Sequence, residues 1–261
     1  MDLGLKNKNA AVTGSSQGIG YAIAEALAKE GANVALSARG AERLDEARTK
    51  LEQHGTRIVA ITTDLSSESG CKAFVDQAAE QLGGIDILVN NVGGMIPGTL
   101  ASLTEADWER VLNVNLMAAV YTTKHALAHL EKGRNAKILN VSGVSGKQLL
   151  PGSLTTTIPN AGIIGFSKVM AGELGAKGIT VNNICPGLTN TESWGPRAEA
   201  MAKVRGVTAN DVRKGIAAQT LLGRWAEPEE IGSVAAFLVS DRNSYMTGTT
   251  VEVCGGFNRY L

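Results

Sequence analysis

The chain has 261 residues, 44% of them hydrophobic and 19% charged, with 25 basic side chains balanced by 25 acidic ones. That length suits one α/β domain over residues 1–261 with a sizeable core. A formal net charge of zero excludes the basic footprint of a nucleic-acid binder and a polybasic membrane patch. Cys71, Cys185 and Cys254 are far apart, match no metal spacing and leave one thiol over in any disulfide scheme, which suits a reducing compartment. The segment Met1-Asp2-Leu3-Gly4-Leu5-Lys6 has no signal-peptide pattern, and no apolar run approaches the roughly 18 residues of a membrane span. The expectation is a soluble, cytoplasmic protein that meets a small-molecule substrate, with no nucleic-acid and no membrane partner.

The predicted elements alternate. Ala10 to Thr13 reads as a strand, Gly14 to Gly20 as a glycine-rich turn, and Tyr21 to Gly31 as an amphipathic helix. Strand 33–37, helix 41–54, strand 57–61 and helix 68–82 follow, then Ile85-Asp86-Ile87-Leu88-Val89, an apolar strand of the kind covered on both faces. A long helix is predicted over 104–130, entered at Thr104-Glu105-Ala106-Asp107. Strand 136–141, helix 161–176, strand 179–184, helix 228–240 and strand 249–253 complete the chain. Such alternation means right-handed crossovers: a doubly wound, Rossmann-type parallel sheet in a three-layer α/β/α sandwich. Residues 189–219 break the rhythm with Gly, Pro, Trp and charge, and are expected to form a mobile substrate lid.

The glycine turn is the organising feature. A strand, Thr13-Gly14-Ser15-Ser16-Gln17-Gly18-Ile19-Gly20 and a helix occur in the order that aims a helix N-terminus at a pyrophosphate. Gly14 permits the tight turn, Gly18 the approach of the phosphates and Gly20 close helix–strand packing. At the end of the second strand, where an acid would hold the ribose 2′-hydroxyl of NAD, stand Ala38 and Arg39. A guanidinium there clamps a 2′-phosphate, which favours NADP(H) over NAD(H); the competing role for Arg39 is a solvated strand end. Asp64 either accepts from an adenine amino group or caps a turn.

These motifs resemble the short-chain dehydrogenase/reductase family, of the type with approximately 250 residues, over nearly the whole length. Thr13-Gly14-x-x-x-Gly18-x-Gly20 is similar to the family's cofactor turn, with Ser16 and Ile19 inside it. Asp64-Leu65 resembles the adenine site, and Asn90-Asn91-Val92-Gly93 the motif after the fourth strand. Asn115 falls on the catalytic asparagine that kinks the long helix and holds a water. Pro186-Gly187 and Thr191 resemble the nicotinamide-contacting segment. Glu227-Pro228-Glu229-Glu230-Ile231, Thr247-Gly248 and Gly255-Gly256 match the C-terminal signature, with Cys254 where an aspartate is usual. The resemblance implies an oxidoreductase and a homo-oligomer, most often a tetramer built through the long fifth helix and its neighbour.

The departure from the family lies in its catalytic Ser, Tyr and Lys. Aligning Leu139-Asn140-Val141-Ser142-Gly143 places Gly143 at the serine, and both flanks place Thr156 at the tyrosine and Asn160 at the lysine. A phenol can be drawn toward neutrality by an ammonium, whereas an aliphatic hydroxyl beside a neutral amide cannot. The lost acid–base contribution is about 10²–10⁴-fold. Asn160 inherits the lysine's place at the nicotinamide ribose. Pro159 is expected to delay the start of its helix.

Substitute groups are few. Ser142 or Ser145 could orient a carbonyl or bond the backbone, and Thr156 could donate weakly or start the helix. Lys147 and Glu192 read as solvated, and His125 and His129 have helical spacing without the acid of a metal pair, so no metal site is expected. Trp194, Met201 and Trp225 line a substrate pocket or pack the lid. Three readings stay open: an NADP(H)-dependent oxidoreductase with an altered proton relay; a non-catalytic nucleotide-binding relative acting as sensor or partner subunit; and, less favoured, a non-redox lyase or isomerase.

Overall fold

The computed structural model describes residues 2–148 and 152–259. Seven parallel strands form one sheet: β1 (Asn9–Val12), β2 (Asn33–Ala38), β3 (Ile58–Thr62), β4 (Ile87–Asn90), β5 (Lys137–Val141), β6 (Thr180–Pro186) and β7 (Thr250–Val253). Their spatial order is β3-β2-β1-β4-β5-β6-β7, so the strand order reverses between β1 and β4. In sheets of this kind ligands bind outside the carboxyl ends of the strands at that reversal.

Successive residues of the buried strands face opposite sides of the sheet, and the helices sort into two layers against them. Ala10 and Val12 of β1, Val34 and Leu36 of β2, and Ile87 and Val89 of β4 face a core with Ile23, Leu27, Leu44, Leu51 and Ile231. Those partners lie on α1 (Gly18–Lys29), α2 (Ala41–Glu52) and α9 (Pro228–Leu238). The intervening Ala11, Ala35 and Leu88 face the other core, with Phe74, Val75, Ala126, Leu130 and Leu174. Those belong to α3 (Glu68–Leu82), α5 (Ala118–Leu130) and α6 (Leu154–Leu174). The two-residue period of a strand thus builds the three layers.

The long helix expected over 104–130 is three consecutive segments. α4 (Glu105–Leu112) starts with a capping box between Thr104 and Asp107, Asn113–Met117 is π-helical, and α5 continues to Leu130. Asn115 sits at the centre of the π-turn, where the ladder widens by one residue and turns its side chain toward the strand ends.

One expectation is corrected. α6 begins at Leu154, not near 161, and carries Pro159 inside it. Pro159 has the φ a helix needs, and Thr156 and Thr157 both donate to the Ser153 carbonyl, so the first turn forms ahead of the proline. The lost bond is the one to the Thr155 carbonyl, which Asn115 Nδ2 approaches instead at 3.5 Å. Residues 189–219, expected to form a mobile substrate lid and given no predicted element, contain α7 (Trp194–Arg205) and α8 (Ala209–Ala217), with Gly206 at φ +65° between them and a capping box from Thr208 to Asp211. Trp194 and Trp225 meet edge to face at 4.7 Å and, with Met201, pack against Ala198, Ala202, Val212 and Ile216. These aromatics hold α7 and α8 together.

The α1–α9 contact depends on Gly232, where a Cβ would come within 2.5 Å of the Ala22 carbonyl oxygen. Alanine gains about 1 kcal/mol of helix propensity there, but overpacking against backbone costs about 1–3 kcal/mol. Gly232→Ala is expected to lower stability by up to about 2 kcal/mol in urea denaturation, against the direction that propensity alone gives.

Candidate active site

The site is built on the turn after β1. Gly14 and Gly18 have φ of +62° and +59°, and a Cβ on Gly20 would lie 2.3 Å from both Asn91 Nδ2 and the Gly14 carbonyl oxygen. Only glycine fits at 20. Asn91 Nδ2 donates to the Thr13 carbonyl at 3.1 Å and the Gly14 carbonyl at 3.0 Å. Thr13 Oγ1 accepts in return from the Asn91 and Val92 amides at 2.8 and 3.0 Å. This reciprocal clamp joins the ends of β1 and β4 across the reversal of strand order. Serines add a second tie that the sequence reading missed: Gly14 N donates to Ser37 Oγ at 3.2 Å and Ser37 N to Ser15 Oγ at 3.0 Å.

The first turn of α1 has no side-chain cap, because Gln17, at its N-cap, is extended and its Oε1 accepts from Arg43 at 2.8 Å. The helix therefore leaves its early N–H groups without a side-chain partner, next to a turn whose Gly14, Ser16 and Gln17 line a cavity of about 870 Å³; Gly18 and Ile19 are not among the lining residues. Gly14, Ser16, Arg39, Asp64, Leu65 and Gly93 line that cavity, as does Asn115 at its far end. These expected residues are brought together. Gly20 and Asn91 stand behind them and shape the turn.

Arg43 and Arg110 also line the cavity and escaped the sequence reading. Arg43 lies in the first turn of α2, which begins at Ala41 just beyond Arg39. Asp64 has a local partner: its Oδ1 accepts from Ser66 N at 3.0 Å. That amide, assisted by the Ser66 hydroxyl and by the charges of Arg39 and Arg110, holds the carboxyl below its usual range against the opposing effect of burial. The turn-cap role of Asp64 is thus present, in a carboxylate that also faces the cavity.

The remaining expected residues lie along the same sheet edge. Gly187, after Pro186, has no room for a side chain: a Cβ would lie 2.7 Å from Cys254 Cα. Thr191 crosses back so that its Cγ2 would be 3.3 Å from a Cβ on Gly18, which seats the start of the lid on the glycine turn. Asn115 is occupied by backbone on both sides, accepting from Gly94 N at 2.6 Å and donating to the Gly94 carbonyl at 2.8 Å.

The positions that the sequence resemblance aligns with the family's Ser, Tyr and Lys also lie close together. A Cβ on Gly143 would come within 2.9 Å of Asn160 Nδ2, so these two positions, 17 apart in sequence, share one space. Asn160 Nδ2 donates to Ser145 Oγ at 3.0 Å, and Thr156 Oγ1 to the Ser153 carbonyl at 3.0 Å. Ser142 is turned into the sheet, accepting from Asn183 Nδ2 at 2.8 Å and reaching the Ile184 carbonyl at 3.5 Å. Lys147, read as solvated, pairs with Glu252 of β7, which also accepts from Asn258 at 2.6 Å. His125 bonds Glu68 at 3.2 Å, and the described residues hold no cluster of metal ligands.

A parallel sheet in this order, an uncapped glycine turn and an asparagine in a π-turn facing one cavity define a dinucleotide-binding oxidoreductase fold. The family model described as Enoyl-(Acyl carrier protein) reductase matches residues 14–258, and the chain belongs to the short-chain dehydrogenase/reductase family. It is 36% identical over 253 residues to a 3-oxoacyl-(acyl-carrier-protein) reductase of Chlamydia trachomatis, covering 97% of this chain and 98% of that one. Among solved structures it is similar to the L-sorbose reductase of Gluconobacter frateurii complexed with NADPH and L-sorbose, with a TM-score of 0.96, 33% identity and full coverage of both chains. A short-chain dehydrogenase of Burkholderia cenocepacia in complex with NADP has a TM-score of 0.87 and 32% identity, over 97% of this chain and 99% of that one.

The clamp supplies a test. Thr13→Val keeps the shape of the side chain but leaves the Asn91 and Val92 amides without their acceptor. Two unpaired N–H groups cost about 2–6 kcal/mol when fully buried; both are part-buried, so the lower part of that range, about 2–4 kcal/mol, is expected in urea denaturation.

Proposed function

We propose that the chain is an NADP(H)-dependent oxidoreductase of a small carbonyl or alcohol, working with a rebuilt proton relay as a cytoplasmic homo-oligomer. The observation that carries this reading is the single cavity running from the uncapped glycine turn, past Arg39 and Arg43, to Asn115. The residues suit the dinucleotide. The glycine turn and the N–H groups of Gly18 and Ile19 would hold the pyrophosphate, and Arg39 with Arg43 the 2′-phosphate. The segment Pro186-Gly187 with Thr191 would hold the nicotinamide end. The cofactor, when bound, supplies hydride chemistry; the protein supplies orientation, which survives loss of the usual acid. The NADPH and NADP complexes of two structural relatives support the choice of dinucleotide. Exposed Ile158 and Val169 on α6 support assembly through that helix, and the free, largely buried cysteines suit a reducing compartment.

A non-catalytic nucleotide binder is the second reading, favoured by one observation. The Thr156 hydroxyl already gives its proton to a backbone carbonyl, and Asn160 offers no charge. Turnover separates the two.

Calorimetric titration is expected to give NADPH binding at least tenfold tighter than NADH. Charge-assisted hydrogen bonds are worth about 1.5–3 kcal/mol, so Arg39→Ala should weaken NADPH binding about 10–100-fold and leave NADH nearly unchanged. Equal affinities in the wild type would remove the case for NADP(H). NADPH oxidation is then followed with L-sorbose, an acetoacetyl thioester and 2,3-butanedione at high enzyme. Tight NADPH binding without turnover of any of them is the result that favours the non-catalytic reading.

A further inference from the structure

The hydroxyls around the substituted relay are not equivalent. Ser142 is committed to β6, between the Asn183 amide and the Ile184 carbonyl. Thr156 directs its proton to the Ser153 carbonyl. Ser145 has one hydrogen-bond partner among the described residues, and that partner is a donor: Asn160 Nδ2 at 3.0 Å. An amide NH₂ cannot accept, so it occupies a lone pair of Ser145 Oγ and leaves the hydroxyl proton for another acceptor.

The placement follows from the same nitrogen. Asn160 Nδ2 lies 2.9 Å from the point a Cβ on Gly143 would occupy, so the Ser145 hydroxyl stands beside the space that a side chain at 143 would enter. The loop is pressed onto α6 at this point, since a Cβ on Gly146 would lie 2.8 Å from the Asn160 carbonyl carbon. Gly143, Ser145, Gly146 and Asn160 therefore form one packed unit at the carboxyl end of β5. Ser145 and Asn160 are both half-buried there; neither lines the cavity, whose lining residue Asn115 approaches the Thr155 carbonyl of the same helix at 3.5 Å.

We propose that Ser145 is the hydroxyl that orients the substrate oxygen, and that Asn160 is the positioning residue that aims it by filling its acceptor side. Gly143 is the vacated position that gives the Asn160 amide room. Ser145 donates a hydrogen bond to the carbonyl or alcohol oxygen; it forms no covalent bond and keeps its proton on Oγ. The inference rests on the oxidoreductase reading above.

The test uses full-length protein, NADPH, and whichever of the three carbonyls named above the wild type reduces fastest. Ser145→Ala is expected to lower kcat/KM about 10–100-fold with the NADPH dissociation constant and melting temperature unchanged, while Ser145→Thr, which keeps a hydroxyl, recovers most of the rate. Asn160→Asp should lower the rate comparably, because a carboxylate accepts the Ser145 proton that the amide leaves free. A wild-type rate in Ser145→Ala overturns the role of Ser145 and leaves the oxidoreductase reading standing. A threonine variant no better than alanine, with its fold intact, overturns the hydroxyl's part in the reaction. If NADPH binds but the wild type reduces none of the carbonyls, the oxidoreductase reading fails and the role of Ser145 falls with it.

Discussion

The structure depends on the clamp between Thr13 and Asn91. Two strands that are neighbours in space but far apart in sequence end side by side, and the chain must leave each of them in a different direction. Four hydrogen bonds join the two exits: the Asn91 amide nitrogen to two carbonyls of the turn, and two backbone amides to the Thr13 hydroxyl. Gly20 has to lack a side chain because the same amide nitrogen occupies the place of its Cβ. The geometry that would receive a pyrophosphate is thus a consequence of satisfying buried backbone groups at the reversal of strand order.

A second buried polar web extends the order toward α6. Asn90 donates to Asn140 at 2.8 Å and to Thr123 at 3.0 Å, and Asn140 donates to Ser167 of α6 at 2.8 Å. Thr122 closes the web by donating to Asn90 at 2.6 Å. Each bond lies in the interior, where directional partners specify one arrangement and unpaired ones are costly. The web sets β4, β5, α5 and α6 in register, and thereby fixes Asn115 and Asn160 relative to the strand ends.

Against this ordered frame, the catalytic positions form an alternative set. Gly143 and Asn160 share one space, and Ser145 takes its place in the same packed unit. The lone ammonium in this loop, Lys147, is drawn to Glu252. In the proposed reading the chain keeps the parts that hold and orient a dinucleotide and changes the parts that move a proton. That division matches the physics: orientation depends on backbone geometry spread over many residues, whereas proton transfer depends on the acidity of one group.

Much of this was legible in the sequence. The strand–glycine–helix order of residues 10–31 and the alternation of later segments determined a doubly wound parallel sheet, since period and turn chemistry act locally. Arg39 at the end of β2 was placed by the same local logic, and Asn115 within the long helix by the family resemblance. Tertiary structure decided the rest. It alone showed that α6 runs through Pro159, because the freed Thr155 carbonyl lies near a donor from another helix. It paired Trp194 with Trp225 and so organised the lid, joined Arg43 to the cavity, and turned Ser142 into the sheet while leaving Ser145 beside Asn160. Local pattern determines which elements form; which side chains share a space depends on contacts between segments that only packing brings together.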